Sequence, residues 1–251
     1  MTAPKFNVKI FSDGADLADM EAINQNDFVT GFTTNPSLLK KAGVTDYLSF
    51  AKTVVAKFPD EPISFEVFSN DFETMLEEAK LLAQLGDNVY VKVPIRTTDG
   101  QSTAPLLHSL TEADISVNVT AIATADQVKE SLDAAVTGVP VIISIFVGRV
   151  ADTGVDPMPF VHDSIALTKQ YPDAELLWAS TREIYNIIQA DALGVDIITV
   201  PPSIIAKLVT KFGQSGDDVT MATVKGFEID IQATGLSILE QKGNSLSNVN
   251  F

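Results

Sequence analysis

With 251 residues, 45% of them hydrophobic, the chain is long enough for one barrel-sized domain with a full core. A formal net charge of -16 argues against non-specific binding to nucleic acid or to an anionic membrane. The absence of cysteine excludes disulfides, thiol catalysis and thiolate metal sites, and two histidines, His108 and His162, are too few for a histidine-rich metal centre, which leaves an all-oxygen site open.

Short β-rich runs alternate with amphipathic helical stretches along most of the chain. Val8 to Ser12 reads as a strand and Ala15 to Asn26 as a helix; Val29 to Thr33 is the second strand, followed by helical material from Pro36 to Phe58. Ile63 to Phe68 is the third strand, and the next helix carries Phe72, Met75, Leu76, Ala79, Leu82 and Ala83 on one face. Val89 to Val93, Ser116 to Thr120 and Val141 to Phe146 follow as strands. Between them lie a helix from Thr103 to Glu112 and one opened by a Thr124–Gln127 capping box. A helix from Pro159 to Gln170, a strand from Leu176 to Ala179, a helix with Ile184, Ile187 and Ile188, a strand from Ile197 to Val200 and a helix with Ile204, Ile205, Leu208, Val209 and Phe212 complete the series.

Eight βα units in sequence predict a parallel sheet with right-handed crossovers that closes into a (β/α)₈ barrel. The competing doubly wound sheet is weakened because no Gly-x-Gly-x-x-Gly follows the first strand. The barrel is assigned to residues 1–213 and a C-terminal helical extension with its tail to 214–251. Within the latter, Met221 to Glu240 is read as a helix using Val224, Phe227, Ile231 and Ile238, weakened by Gly226 and Gly235, and Lys242 to Phe251 as frayed. The opening MTAPKFNVKIFSDG lacks a signal-peptide layout, and the apolar runs are far short of the roughly 20 residues of a membrane span, so a soluble cytoplasmic protein is expected.

Barrel active sites lie at the C-terminal ends of the strands, and strand side chains alternate between faces. In VYVKVP the valines suit the helix layer, which turns Tyr90 and Lys92 into the barrel. An inward lysine is either a tip reaching solvent or a structural ion pair, or it is a desolvated amine able to attack a ketone and form a Schiff base. ISFEVF turns Ser64, Glu66 and Phe68 inward; Glu66 is either the partner of Lys92 or a carboxylate that holds a water and moves protons. SVNVT turns Asn118 and Thr120 inward, and VIISIF turns Ser144 and Phe146 inward, as substrate contacts or as barrel filler. Asp13 beside Gly14 also suits a turn, Asn35 before Pro36 a helix cap, and Ser180 three before Glu183 a capping box. Arg149 and Arg182 follow the sixth and seventh strands, where two forked cations can grip one anion.

The segments GFTTNPSLLKKAG, ISFEVF, VYVKVP, VNVTAIATADQ, ISIFVGRVADTG, LLWASTRE and ITVPP, taken in this order, resemble the transaldolase family from about Val8 to Leu208. The resemblance implies a Schiff-base lysine at Lys92, an acid/base aspartate at Asp13, and a water-holding pair at Glu66 and Thr120. It implies substrate contacts at Thr33, Asn35, Asn118, Ser144 and Phe146, and a phosphate-binding group of Arg149, Ser180 and Arg182. The implied activity moves a dihydroxyacetone unit between sugar phosphates of pentose phosphate metabolism. It requires no metal or organic cofactor, because the imine serves as electron sink. Fructose-6-phosphate aldolases of the same family carry glutamine and tyrosine where this chain has Glu66 and Phe146. The alternatives are such an aldolase, releasing dihydroxyacetone, and a catalytically silent phosphosugar-binding barrel. In short family members the C-terminal helix resembles a subunit clasp, which implies a homo-oligomer.

Overall fold

A parallel strand pair needs a crossover, and this chain supplies helices for it. The computed structural model describes residues 5–238. In chain order the elements are β1 (Lys9–Asp13), α1 (Leu17–Ile23), β2 (Val29–Thr33), α2 (Pro36–Lys41), α3 (Tyr47–Lys57), β3 (Ile63–Glu66), α4 (Phe72–Ala83), β4 (Val89–Pro94), α5 (Ala104–Glu112) and β5 (Val117–Ile122). They continue with α6 (Ala125–Ala134), β6 (Val141–Ile145), α7 (Val147–Ala151), α8 (Met158–Thr168), β7 (Ala174–Trp178), α9 (Ile184–Leu193), β8 (Ile197–Val200), α10 (Pro202–Lys211) and α11 (Gly216–Thr234). The strands pair in parallel in sequence order and β8 returns to β1, closing the barrel.

Two apolar layers follow from strand alternation. Val91, Val93, Val117, Val119 and Ile143 point outward and pack with the helices in one continuous cluster. Phe11, Ile142, Leu177, Ala179 and Ile197 fill the barrel interior, with Tyr90 and Phe146 packed against them. Gly31 makes this interior possible: a Cβ there would stand 2.6 Å from the Phe11 ring, closer than any carbon contact allows. Side-chain oxygens open the helices, with Asp16, Asn35, Asp46, Asp71 and Thr124 each accepting a backbone N–H. The Thr124–Gln127 capping box is formed in both directions.

Several boundaries differ from those read off the sequence, each for a local reason. The material from Pro36 to Phe58 is two helices, because Gly43 adopts φ 72° and Asp46 caps a fresh start. The third strand stops at Glu66, so Phe68 is not inward: its ring stacks on Tyr47 at 4.4 Å and is half exposed. The sixth strand stops at Ile145, and the next residues form the unpredicted short helix α7. Ser180 makes no capping box with Glu183; the box belongs to Glu183 and Asn186, and Ser180 itself sits at φ 68°.

The chain divides into compact units at residues 1–210 and 211–251. In the second, α11 starts earlier than predicted, at a Ser215–Asp218 capping box, and ends at Gly235 in the left-handed region. Gly226 is accommodated within it, Ile238 lies beyond it, and the predicted continuation to Glu240 and the tail from Lys242 lie outside the described residues. The apolar side chains of Val219, Val224, Phe227 and Ile231 are exposed. Among the described residues no helix is long and apolar enough to cross a membrane.

Candidate active site

The site begins with β4. Its valines are taken by the helix layer, so Lys92 has the barrel interior as its only direction, and it is 6% exposed. Parallel register sets Lys92 beside Glu66 on β3 and Asn118 on β5. The Lys92 ammonium donates to the Thr34 carbonyl at 2.9 Å and stands 3.4 Å from Glu66 Oε2. On β1, Asp13 Oδ1 accepts from Thr33 Oγ1 at 2.8 Å.

A buried charge is stable only when paired and hydrogen-bonded. Desolvation pushes the Asp13 carboxyl above its ordinary range, while the Lys92 charge and the Thr33 hydrogen bond pull it back. Glu66 is raised for the same first reason, with Lys92 opposing; the nearby Asp13 charge adds to the rise and Arg149 lowers it. Two carboxyls biased toward protonation around one amine make a set in which each proton transfer alters the others.

Beside this centre runs a buried chain of polar side chains. Ser144 Oγ donates to Asn118 Oδ1 at 2.6 Å, and Asn118 Nδ2 donates to Ser64 Oγ at 2.9 Å. Thr120 is different: its hydroxyl is buried and has no hydrogen-bond partner among the described residues. Asn35 caps α2 through its side-chain oxygen, which accepts from Leu38 N–H, and it also lines the cleft.

Across the cleft, the strands β6 and β7 end in tight structure. Phe146 caps α7, and the Arg149 guanidinium lies 4.7 Å from the centre of its ring. Gly148 lets α7 press on the next loop; a Cβ there would fall 1.8 Å from the Ser180 carbonyl oxygen. That oxygen accepts from Arg182 Nη1 at 3.2 Å. The other edge of the Arg182 guanidinium forks onto Asp152, through Nε at 3.2 Å and through a charge-assisted Nη2 contact.

Every residue expected at the site from the sequence lines one cleft of about 210 Å³, except Glu66 and Asn118. Glu66 adjoins it through Lys92, and Asn118 is fully buried beside Lys92 in the strand register, bonded to Ser144. The sequence reading missed Asp152, Thr181 and Thr199. Asp152 was detectable in principle, since Phe146, Arg149 and Asp152 recur at three-residue spacing, which aligns them on one helical face. Thr199 alternates with outward Ile198 and Val200, the same signal that marked Lys92. Thr181 lies in a loop, where alternation gives no guidance.

A closed parallel barrel carries a buried lysine beside two carboxyls, in a cleft that two arginines also line. The sequence pattern described as transaldolase/fructose-6-phosphate aldolase matches residues 10–243, and the chain belongs to that family. Among curated relatives, a probable transaldolase of Ruegeria sp. (strain TM1040) is 34% identical over 233 residues, covering 92% of this chain and 100% of the relative. One from Nitrosopumilus maritimus (strain SCM1) is 37% identical over 212 residues, covering 82% and 91%. The solved structure of 3-hexulose-6-phosphate synthase from Salmonella typhimurium shares the fold, with a TM-score of 0.56 at 16% identity over 80% of this chain and 96% of that one. The family and the relatives' names place the protein among transaldolase-type enzymes.

Proposed function

We propose that the protein is a transaldolase that carries a dihydroxyacetone unit between sugar phosphates on a Lys92 Schiff base. One observation carries the reading: the Lys92 amine is enclosed beside Glu66, in a cleft that Arg149 and Arg182 also line. A binding barrel needs the arginines but has no need of a buried amine.

In the proposed reaction Lys92 attacks the ketose carbonyl, of fructose 6-phosphate or sedoheptulose 7-phosphate, and water leaves as the protonated imine forms. Asp13 takes the proton from the C4 hydroxyl while the C3–C4 bond breaks. The bonding electrons pass into the imine, giving a lysine-bound enamine, and an aldose phosphate departs. A second aldose takes up the unit by the reverse steps, and hydrolysis frees Lys92. The upward push that burial gives the Asp13 carboxyl suits a group that must both accept and return a proton. Glu66 and the unpartnered Thr120 hydroxyl suit the holding of the water that leaves as the imine forms and attacks as it is cleaved. Thr33, Asn35, Asn118, Ser144 and Phe146 line or support the sugar's path.

Arg149, Ser180 and Arg182 take the phosphate in this reading. Arg182 keeps one N–H on each terminal nitrogen, because Asp152 takes Nε and one Nη2 hydrogen and the Ser180 carbonyl takes one from Nη1. The proposal assigns catalysis to residues 1–213 and subunit contact to 214–251, where the exposed apolar side chains of α11 suit a homo-oligomer, and it sets the enzyme in the cytoplasm.

The test is one preparation assayed with fructose 6-phosphate, with and without erythrose 4-phosphate. A transaldolase forms sedoheptulose 7-phosphate when the acceptor is present and releases little free dihydroxyacetone without it. Release as fast as transfer would establish the aldolase activity instead.

A further inference from the structure

We propose that Thr199 is a positioning residue for Asp13, acting through Thr33 to hold one carboxylate oxygen and leave the other for the substrate. The inference rests on the reading of Asp13 as the acid/base group and goes a step beyond it.

The topology brings the three residues together. β1 lies between β2 and β8, with Asp13 in register with Thr33 on one side and Phe11 in register with Thr199 on the other. Both threonines are buried, and their hydroxyl oxygens are 2.5 Å apart. Thr33 Oγ1 also contacts Asp13 Oδ1 at 2.8 Å.

A hydroxyl has one proton to give. An ionised carboxylate only accepts, so while Asp13 is charged the Thr33 proton lies toward Oδ1. The proton between the two threonines must then come from Thr199. Thr199 is itself held, because Thr181 Oγ1 donates to its backbone carbonyl at 2.7 Å. The chain therefore runs Thr199 to Thr33 to Asp13, each donor strengthening the next. Oδ1 is occupied in this arrangement, and the proton taken from the substrate goes to Oδ2. Without Thr199 the Thr33 hydroxyl is free to turn, and Asp13 loses both its orientation and part of the support for its charge.

Asp13 also faces Lys92 on β4 and feels Glu66 on β3. It borders a second cleft together with Asp16, Asp19 and Lys41. None of these is altered by a change at Thr199, so a shift seen there reports the hydroxyl chain.

The experiment is carboxyl ¹³C NMR titration of the full chain, with the Asp13 signal assigned by its loss in Asp13→Asn. Removing support for the charged form raises a carboxyl midpoint, so Thr199→Val should move that of Asp13 up by about half a pH unit. Thr33→Val should move it further, and Thr199→Ser should restore it. The acid limb of kcat/KM should move with the midpoint. Thermal melts establish that the variants are folded; Thr199→Ala carries the same prediction if the valine variant is not. An Asp13 midpoint that stays put in folded Thr199→Val, or one that moves equally in Thr199→Ser, overturns the proposal. Failure of the transaldolase reading shows separately, as a wild-type enzyme that forms no adduct at Lys92.

Discussion

Lys92 and Arg182 face the same cleft and are held in opposite ways. Lys92 is 6% exposed and sits on a strand in the barrel wall, with Glu66 and a backbone carbonyl as its partners. The Arg182 side chain is 48% exposed and sits on a loop, clasped by Asp152. The first arrangement holds an amine where water is scarce, at the cost of two perturbed carboxyls. The second keeps a cation in water, where solvent screens the ion pair and the pair chiefly orients the side chain. In the proposed reading, the reaction centre depends on burial and the phosphate contact on loop geometry.

That contrast can be broken at its tightest contact. Gly148→Val should push the Ser180 carbonyl away and displace Arg182 with it. A shift of about 1 Å is enough to lower kcat/KM by roughly a hundredfold. The loss should be confined to phosphorylated substrates, and a borohydride-trapped adduct with unphosphorylated dihydroxyacetone should still form. A variant that loses the adduct as well would mean that the two ends are not separable.

Arg182→Ala probes the same end more gently. It should raise KM for fructose 6-phosphate by about tenfold or more, the worth of a hydrogen bond to a charged group, and change an unphosphorylated ketose far less. Equal losses on both substrates would remove Arg182 from the anion site. At the buried end the expected effect is a redistribution of products. Glu66→Gln, alone or with Phe146→Tyr, removes a titrating group from beside the enamine and should shift partition toward free dihydroxyacetone. A tenfold change needs only about 1.4 kcal/mol of barrier. Comparison of transfer and release rates in one assay reads it, and an unchanged ratio would separate Glu66 from that choice.

The same contrast explains what the sequence made legible. Strand alternation is a strong constraint because the helix layer accepts only one face. It therefore set Lys92, Asn118, Thr120 and Ser144 inward, and the structure agrees with each of those directions. It misdirected Phe68, because the strand ends two residues earlier and alternation lapses there. Beyond the strand ends nothing periodic remained. Ser180 takes a positive φ without being glycine, α7 is only five residues long, and the Arg182–Asp152 clasp joins side chains thirty positions apart. Such features depend on tertiary contacts such as that of Gly148 with Ser180, which no local pattern announces. The Thr33–Thr199 contact was hidden for a related reason, since it requires the barrel to be closed.

Trapping shows whether the buried amine on β4 is the nucleophile. The enzyme would be incubated with fructose 6-phosphate, reduced with borohydride, digested and read by mass spectrometry. The account predicts one dihydroxyacetone-derived addition, located on Lys92 and absent from Lys92→Met. An unmodified Lys92, with the label on another lysine or on none, would contradict it.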